Sequence, residues 1–328
     1  MWRYVVKRLL WLFPTLLGVA LLICIVAEMT PGEPGFLILG NDATQEDIAQ
    51  FNHEMGLDKP FFERYVDFLG NLARGDLGTS YVTGQPVIKE IAARFPYTLK
   101  VALVSTIMSV FFGVPIGVFA ATHQYSWKDN ISIFLSLFCV SMPSFWFALV
   151  LVQIFTTKLH LLPSIGVDYW YCYIMPCLAC AVSEAAILAR QTRSSMLEVI
   201  RQDYIITARA KGVSEYKVVY KHALKNALMP VITLIGTSFA SAMGGAIVAE
   251  QIFSIPGIGA YVLRGVTQRD FGVVQGTVVF LAGIFSVCVL LVDLGYAFVD
   301  PRVKAQYAGK GRKEKKKLNK PETEGHMS

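Results

Sequence analysis

The sequence predicts an all-α membrane protein with six transmembrane helices, a long external loop after the first span, and a helical cytoplasmic segment between the fourth and fifth. Three observations carry this. The chain of 328 residues is 54% hydrophobic with a mean hydropathy of +0.48, too apolar for a soluble domain. Its apolar residues gather in six runs, roughly 9–28, 97–121, 131–157, 171–189, 231–252 and 277–299. Each supplies the about 20 residues a helix needs to cross about 30 Å of hydrocarbon. The runs are continuous rather than alternating, which favours helices over a closed barrel. Finally, Lys and Arg are asymmetric: with the N-terminus inside, cytoplasmic segments hold 21 and external segments 8, so both termini are expected in the cytoplasm.

The elements follow in order. Residues 1–8 form a short cytoplasmic N-terminus with Arg3, Lys7 and Arg8. The apolar stretch at 9–28 is longer than a usual signal-peptide core and ends in Glu28-Met29-Thr30-Pro31 with no small-residue cleavage pattern, so it reads as an uncleaved first span. Residues 30–96 form an external loop with ten acidic and five basic residues, long enough to have structure of its own. Gln45 to Met55 looks helical, and 61–69 is an aromatic, amphipathic stretch suited to a membrane interface. GDLGTSY at 75–81 breaks the helical pattern.

Residues 97–300 read as a core of five spans. THQYSWKDN forms the inside turn between the second and third, and a turn near Pro163 joins the third and fourth outside. The segment 190–230 carries eight Lys and Arg. Its composition suits two short helices hinged at Gly212, with Ser214 as an N-cap. Gly212 permits a sharp exit because glycine takes positive φ without steric cost. Pro230 is placed at the start of the fifth span, where proline is tolerated. The tail 301–328 has nine basic and three acidic residues, which is the whole of the chain's formal +6. It is expected in solvent or against anionic lipid headgroups, not on nucleic acid.

Several motifs, separated but in order, resemble the ABC-importer permeases of the peptide/nickel branch (dipeptide/oligopeptide permease B-type). They are MGLDKPFFERY and ARGDLGTSY after the first span, then TRSSMLEVIRQDYIITARAKG at 192–212 and HALKNALMPVI at 222–232. VAEQIFSIPGIGAYV at 248–262 and VDLGYAFVDPRVK at 292–304 complete the set. The glutamate–alanine–alanine triplet of the broad importer motif would fall at Ile206, Thr207 and Ala208, and only its last alanine is present, followed by the motif's glycine at Gly212. The TARAKG form is similar to the peptide-branch version.

The resemblance implies a permease subunit of a binding-protein-dependent importer in a bacterial inner membrane. It implies a path for short peptides, shared with a second homologous permease. Two ATP-binding subunits would dock on residues 203–226, and an external solute-binding protein would deliver cargo. ATP and magnesium would be bound by partner subunits, with no cofactor on this chain. The coupling residues it points to are Tyr204, Thr207, Ala208, Arg209, Ala210, Lys211 and Gly212. At helical spacing Tyr204, Ala208 and Lys211 fall along one side with Thr207 beside them, a surface able to seat in a partner's groove. Candidate pore or gate residues are Glu184, an ionisable group inside the fourth span, and Glu250, Phe253, Pro256 and Gly257 around the outer PGIG loop. Glu250 and Asp293, near span ends, also suit structural hydrogen bonding. Glu184 suits either the translocation path or pairing with Arg190.

Nickel or metal-chelate import and glutathione import remain open within the same architecture. Outside it stands an ion-coupled secondary transporter, which would need paired carboxylates or broken helices at mid-membrane; Glu184 alone supports that poorly. No P-loop, H-E-x-x-H or G-x-S-x-G pattern occurs, so the chain is not expected to be an enzyme. Cys177 and Cys180 form a CxxC with no second ligand pair nearby, and read as small buried thiols rather than a metal site.

Overall fold

A computed structural model describes residues 2–30, 34–40, 42–244 and 246–299. The basic tail 301–328 and the Asp300-Pro301-Arg302 end of the last motif lie outside the described residues. The described residues are mostly helical, with a single isolated bridge between Thr79 and Pro86 and no strand among them. Among the described residues five helices are long and apolar enough to cross a membrane, or six if one bent pair is a single span.

The first span is α1 (Trp2–Met29). Three helices outside the core follow: α2 (Pro34–Leu39), α3 (Gln45–Glu54) and α4 (Phe61–Ala73). α3 starts on a reciprocal capping box, Thr44 accepting from the Asp47 N–H while Asp47 accepts from the Thr44 N–H. α4 has no buried residue and leans on α1, where Tyr65 donates to the Leu17 carbonyl and Arg64 pairs with Glu28.

α5 (Val87–Thr122) has 36 residues, about 54 Å at 1.5 Å per residue, so it extends well past a hydrocarbon core. Its partner is α8 (Ile174–Ile200). Gly113 and Gly117 let the two backbones meet: a Cβ on either would lie 2.5 Å from the carbonyl oxygen of Ala185 or Ala189. Small residues spaced four apart give two membrane helices this approach. Ser109 adds a hydrogen bond across the seam to the Ala181 carbonyl, 3.2 Å.

The third apolar run is not one rod. It is α6 (Trp127–Ser141) and α7 (Ser144–Leu151), the latter continuing as a π-helical turn to Lys158, with a 97° bend between them. Pro143 explains the break: it removes a backbone donor and pushes Met142 to extended backbone, ψ 128°. α9 (Asp203–Ala210) and α10 (Glu215–Lys217) follow α8, and α10 runs through a π-helical turn into α11 (Leu224–Met243). Pro230 therefore lies inside a helix, not at its start as the sequence suggested. The helix begins earlier because Val218, Val219, Ala223 and Ala227 give its first turns a buried stripe. The apolar run also stops sooner than expected, at Met243. α12 (Ile247–Ile252) and α13 (Ile258–Thr267) are separate short helices before α14 (Phe271–Val299).

Three buried clusters hold the bundle. At the outer end, beside Leu72 of α4, Leu77, Val87, Ile91, Ile258, Tyr261 and Val273 pack together. Next to them α5, α7, α8 and the α12 region share Val101, Ala148, Leu151, Met175 and Phe253. At the inner end Val118, Met196, Ile205, Val218 and Ala223 seat α9 and the start of α11 on α5 and α8.

Candidate coupling surface and outer latch

At the inner end α9 is pinned by Ile205, which is fully buried. Ala208, one turn later on the same face, packs partly buried against that cluster. The face expected to point outward thus divides. Tyr204 and Lys211 are exposed with Thr207, Arg209, Ala210 and Gly212, while Ala208 turns inward. Ile205 sets the orientation: it is the isoleucine of this helix that packs into the cluster shared with α5 and α8, and its neighbour Ile206 is left exposed. Tyr204 is held by the Asn226 side-chain amide, which donates to its hydroxyl at 2.8 Å.

Gly212 has φ +75°, as the hinge reading requires, and Arg209 grips Glu215 across it through a two-pronged ion pair of 2.6 and 3.1 Å. Ser214 occupies the N-cap position with no side-chain cap; its carbonyl instead accepts from the Val218 N–H at 3.0 Å. Two aromatic residues that sequence reasoning passed over complete the surface. Tyr216 and Tyr220 are exposed, with ring centroids 4.7 Å apart. Their i, i+4 spacing was the available signal. Ile206 is exposed on the same segment, as are the basic residues Arg209, Lys211 and Lys217.

At the outer end the PGIG loop closes over Glu250, which has no exposed surface. Thr98 of α5 donates to Oε1 at 2.7 Å, and the Ala260 N–H in the first turn of α13 donates to Oε2 at 2.9 Å. Thr98 Oγ1 in turn accepts from the Ile258 N–H at 2.8 Å. The carboxylate therefore caps α13 from a different helix while binding α5, as the orphan donors and positive end of a helix N-terminus favour. Gly257 is obligatory here: a Cβ would lie 2.2 Å from the carboxylate. Phe253 is 1% exposed in the adjoining core, and Pro256 is half-buried in the loop. Glu250 and Phe253, expected as pore or gate residues, thus lie inside the chain's own packing. Glu250 is the latch that seats the loop, in keeping with the structural hydrogen bonding the sequence also allowed.

A second latch was missed. Asp270 caps α14 by accepting from the Val273 N–H at 3.2 Å, and binds the Ser80 hydroxyl at 2.5 Å and the Tyr81 N–H at 3.0 Å. This straps GDLGTSY across the start of α14, where Gly272 and Gly276 leave room for the Thr79 and Leu77 carbonyls. The contact joins residues 190 apart in sequence, which local patterns do not reveal. Glu184 is half-buried on α8 with its Oε2 3.4 Å from the Ser109 hydroxyl, so its neighbour is α5 and not Arg190.

Comparison with known proteins agrees with this architecture. Residues 1–102 match the N-terminal family of binding-protein-dependent transport system membrane components, and residues 113–305 match the binding-protein-dependent transport system inner membrane component family. The chain is 40% identical to the glutathione transport system permease protein GsiC of Escherichia coli O6:H1, over 93% of this chain and 99% of that protein. GsiC of Salmonella typhimurium (strain LT2) is 41% identical over the same shares. In fold, 66% of the chain overlays 99% of a chain from an inward-facing structure of the MetNI methionine ABC transporter, with TM-score 0.57 and 17% identity. The chain belongs to the binding-protein-dependent transport system inner membrane component family, as a non-catalytic, multi-pass permease subunit of an ABC importer whose ATP hydrolysis lies on partner chains.

Proposed function

We propose that this permease carries short peptides, with glutathione, a γ-linked tripeptide, as the first cargo to test. The observation behind this is the near full-length match to permeases named for glutathione transport. Residues 203–226 receive ATP-binding subunits, two per complex, which hold the ATP and magnesium. A second homologous permease completes the path, an external solute-binding protein delivers cargo, and both termini face the cytoplasm. The exposure of Tyr204, Ile206, Tyr216 and Tyr220 supports the docking role, since exposed apolar and aromatic side chains on a basic segment suit a groove on a soluble partner. Metal-chelate import has no comparable observation in its favour.

The test is uptake by the complex reconstituted in liposomes with its binding protein. ATP-dependent uptake of a labelled dipeptide or of glutathione, each competing with the other, is the expected result. Uptake of a nickel chelate with no peptide or glutathione competition would reject the peptide reading. Transport without ATPase subunits would reject the coupling role.

A further inference from the structure

The strongest polar feature left unused is the ion pair between Asp129 and Arg193. Asp129 lies in the first turn of α6 and is 1% exposed. Arg193, on α8, meets it with two prongs, Nε to Oδ1 at 2.6 Å and Nη2 to Oδ2 at 2.8 Å. The Tyr125 N–H adds a third donor to Oδ2 at 3.0 Å. A buried pair of this kind adds little net stability over apolar packing of the same volume, but its planar geometry fixes one register and one orientation.

Its place in the fold gives that register a consequence. α8 runs from Arg193 to Ile200 and reaches α9 after only Arg201 and Gln202. Arg193 therefore stands on the helix that carries the coupling surface. α6 is held to α8 at its inner end by Asp129 and near its outer end by Ser183, whose hydroxyl donates to the Cys139 carbonyl at 3.3 Å. Beyond Cys139 comes the 97° bend at Met142–Pro143. Past the bend, Ala148 and Leu151 of α7 pack with Met175, Cys177 and Ala179 of α8 itself, and with Phe253 and Ala249. The broken span thus rests on α8 along both of its halves, and the Asp129–Arg193 fork is the polar grip at the inner end of the first half.

We propose that Asp129 and Arg193 are positioning residues for energy coupling: the fork makes α6 follow α8 when the α9 surface is displaced, so that movement at the ATPase contact reaches the broken span. This rests on the coupling role proposed above for residues 203–226. A two-pronged ion pair fixes the relative register of two helices, whereas packed helices without one can shear by small sliding. The proposal requires energetic coupling, not mere adjacency, and is tested as such.

The experiment measures cargo imported per ATP hydrolysed in the full reconstituted complex for wild type, Asp129→Asn, Arg193→Gln, Arg193→Lys and the exchanged pair Asp129→Arg/Arg193→Asp. The two neutral variants should keep ATPase assembly and basal hydrolysis while losing about tenfold in cargo per ATP, because hydrolysis continues without moving α6. Arg193→Lys keeps the charge but not the fork, and should lose about threefold. The exchanged pair should regain part of the ratio. A purely structural role predicts lower yield with an unchanged ratio in whatever complex assembles. If the neutral variants fail to assemble, Arg193→Lys decides: an assembled complex with the full wild-type ratio overturns the proposal. A wild-type chain that recruits no ATPase would overturn it together with the coupling role, a failure visible without any variant.

Discussion

Replacing Glu250 separates a latch from a pore wall. In Glu250→Ala, Thr98 Oγ1 and the Ala260 N–H lose their acceptor in a site with no exposed surface. Each buried donor left unpaired costs about 1–3 kcal/mol. Removal of a carboxylate from the start of α13 adds up to about 2 kcal/mol, and the void left by the side chain adds more. The sum is on the order of 4–8 kcal/mol, enough to release the α12–α13 loop. Glu250→Gln keeps the volume and one carbonyl acceptor, so its cost should be about 1–3 kcal/mol. The assay is thermal or denaturant unfolding of the purified complex, read beside proteolysis of the 253–258 loop. Glu250→Ala should expose this loop, and Glu250→Gln should be intermediate. If both variants were as stable as wild type but transport-dead, the latch would be refuted and a role in the path restored. Gly257→Ala should resemble Glu250→Ala, since its Cβ would lie 2.2 Å from the carboxylate.

Other consequences follow from the same geometry. Gly117→Ala puts a Cβ 2.5 Å from the Ala189 carbonyl and should cost about 1–3 kcal/mol by forcing α5 off α8; Gly70→Ala in α4, where no atom lies within 4 Å, should be neutral or stabilising in the same unfolding assay. Asp270→Ala loses a helix cap worth about 1 kcal/mol and unpairs the buried Ser80 hydroxyl for about 1–3 kcal/mol more. Limited proteolysis should then cut at 76–86, whereas Asp270→Asn, which keeps an acceptor, should be cut less. In the segment after the first span, the Asp58 carboxylate hydrogen-bonds His53 at 2.8 Å and raises its pKa above the usual 6.5. Any stability from the pair is complete below pH 6.5 and is lost as pH rises through the elevated value. An NMR titration of His53 should show a midpoint above 6.5 that falls back in Asp58→Asn.

How much of this was legible beforehand depends on the range of the interaction concerned. Gly212 at the coupling hinge is local chemistry: a turn needing positive φ selects glycine wherever the fold places it, and the structure shows φ +75°. The bend at Pro143 is equally local, yet it was passed over because hydropathy averages across a proline. Asp270 and Asp129 were invisible for another reason. Each is one unremarkable carboxylate until the fold brings Ser80 or Arg193 to it, 190 and 64 residues away.

By itself the sequence determined the solvent of each segment. Transfer of some twenty apolar side chains into lipid outweighs most local detail, so the runs became helices, and the motif order carried the family. The tertiary structure alone decided what each polar side chain inside that frame does. Which way α9 turns was settled by Ile205 finding a buried seat, which drew Ala208 inward. Glu250 became a latch because Thr98 and the start of α13 converge on it, and a buried carboxylate persists only where donors meet it. Convergence of distant donors is a property of packing, and no spacing along the chain encodes it.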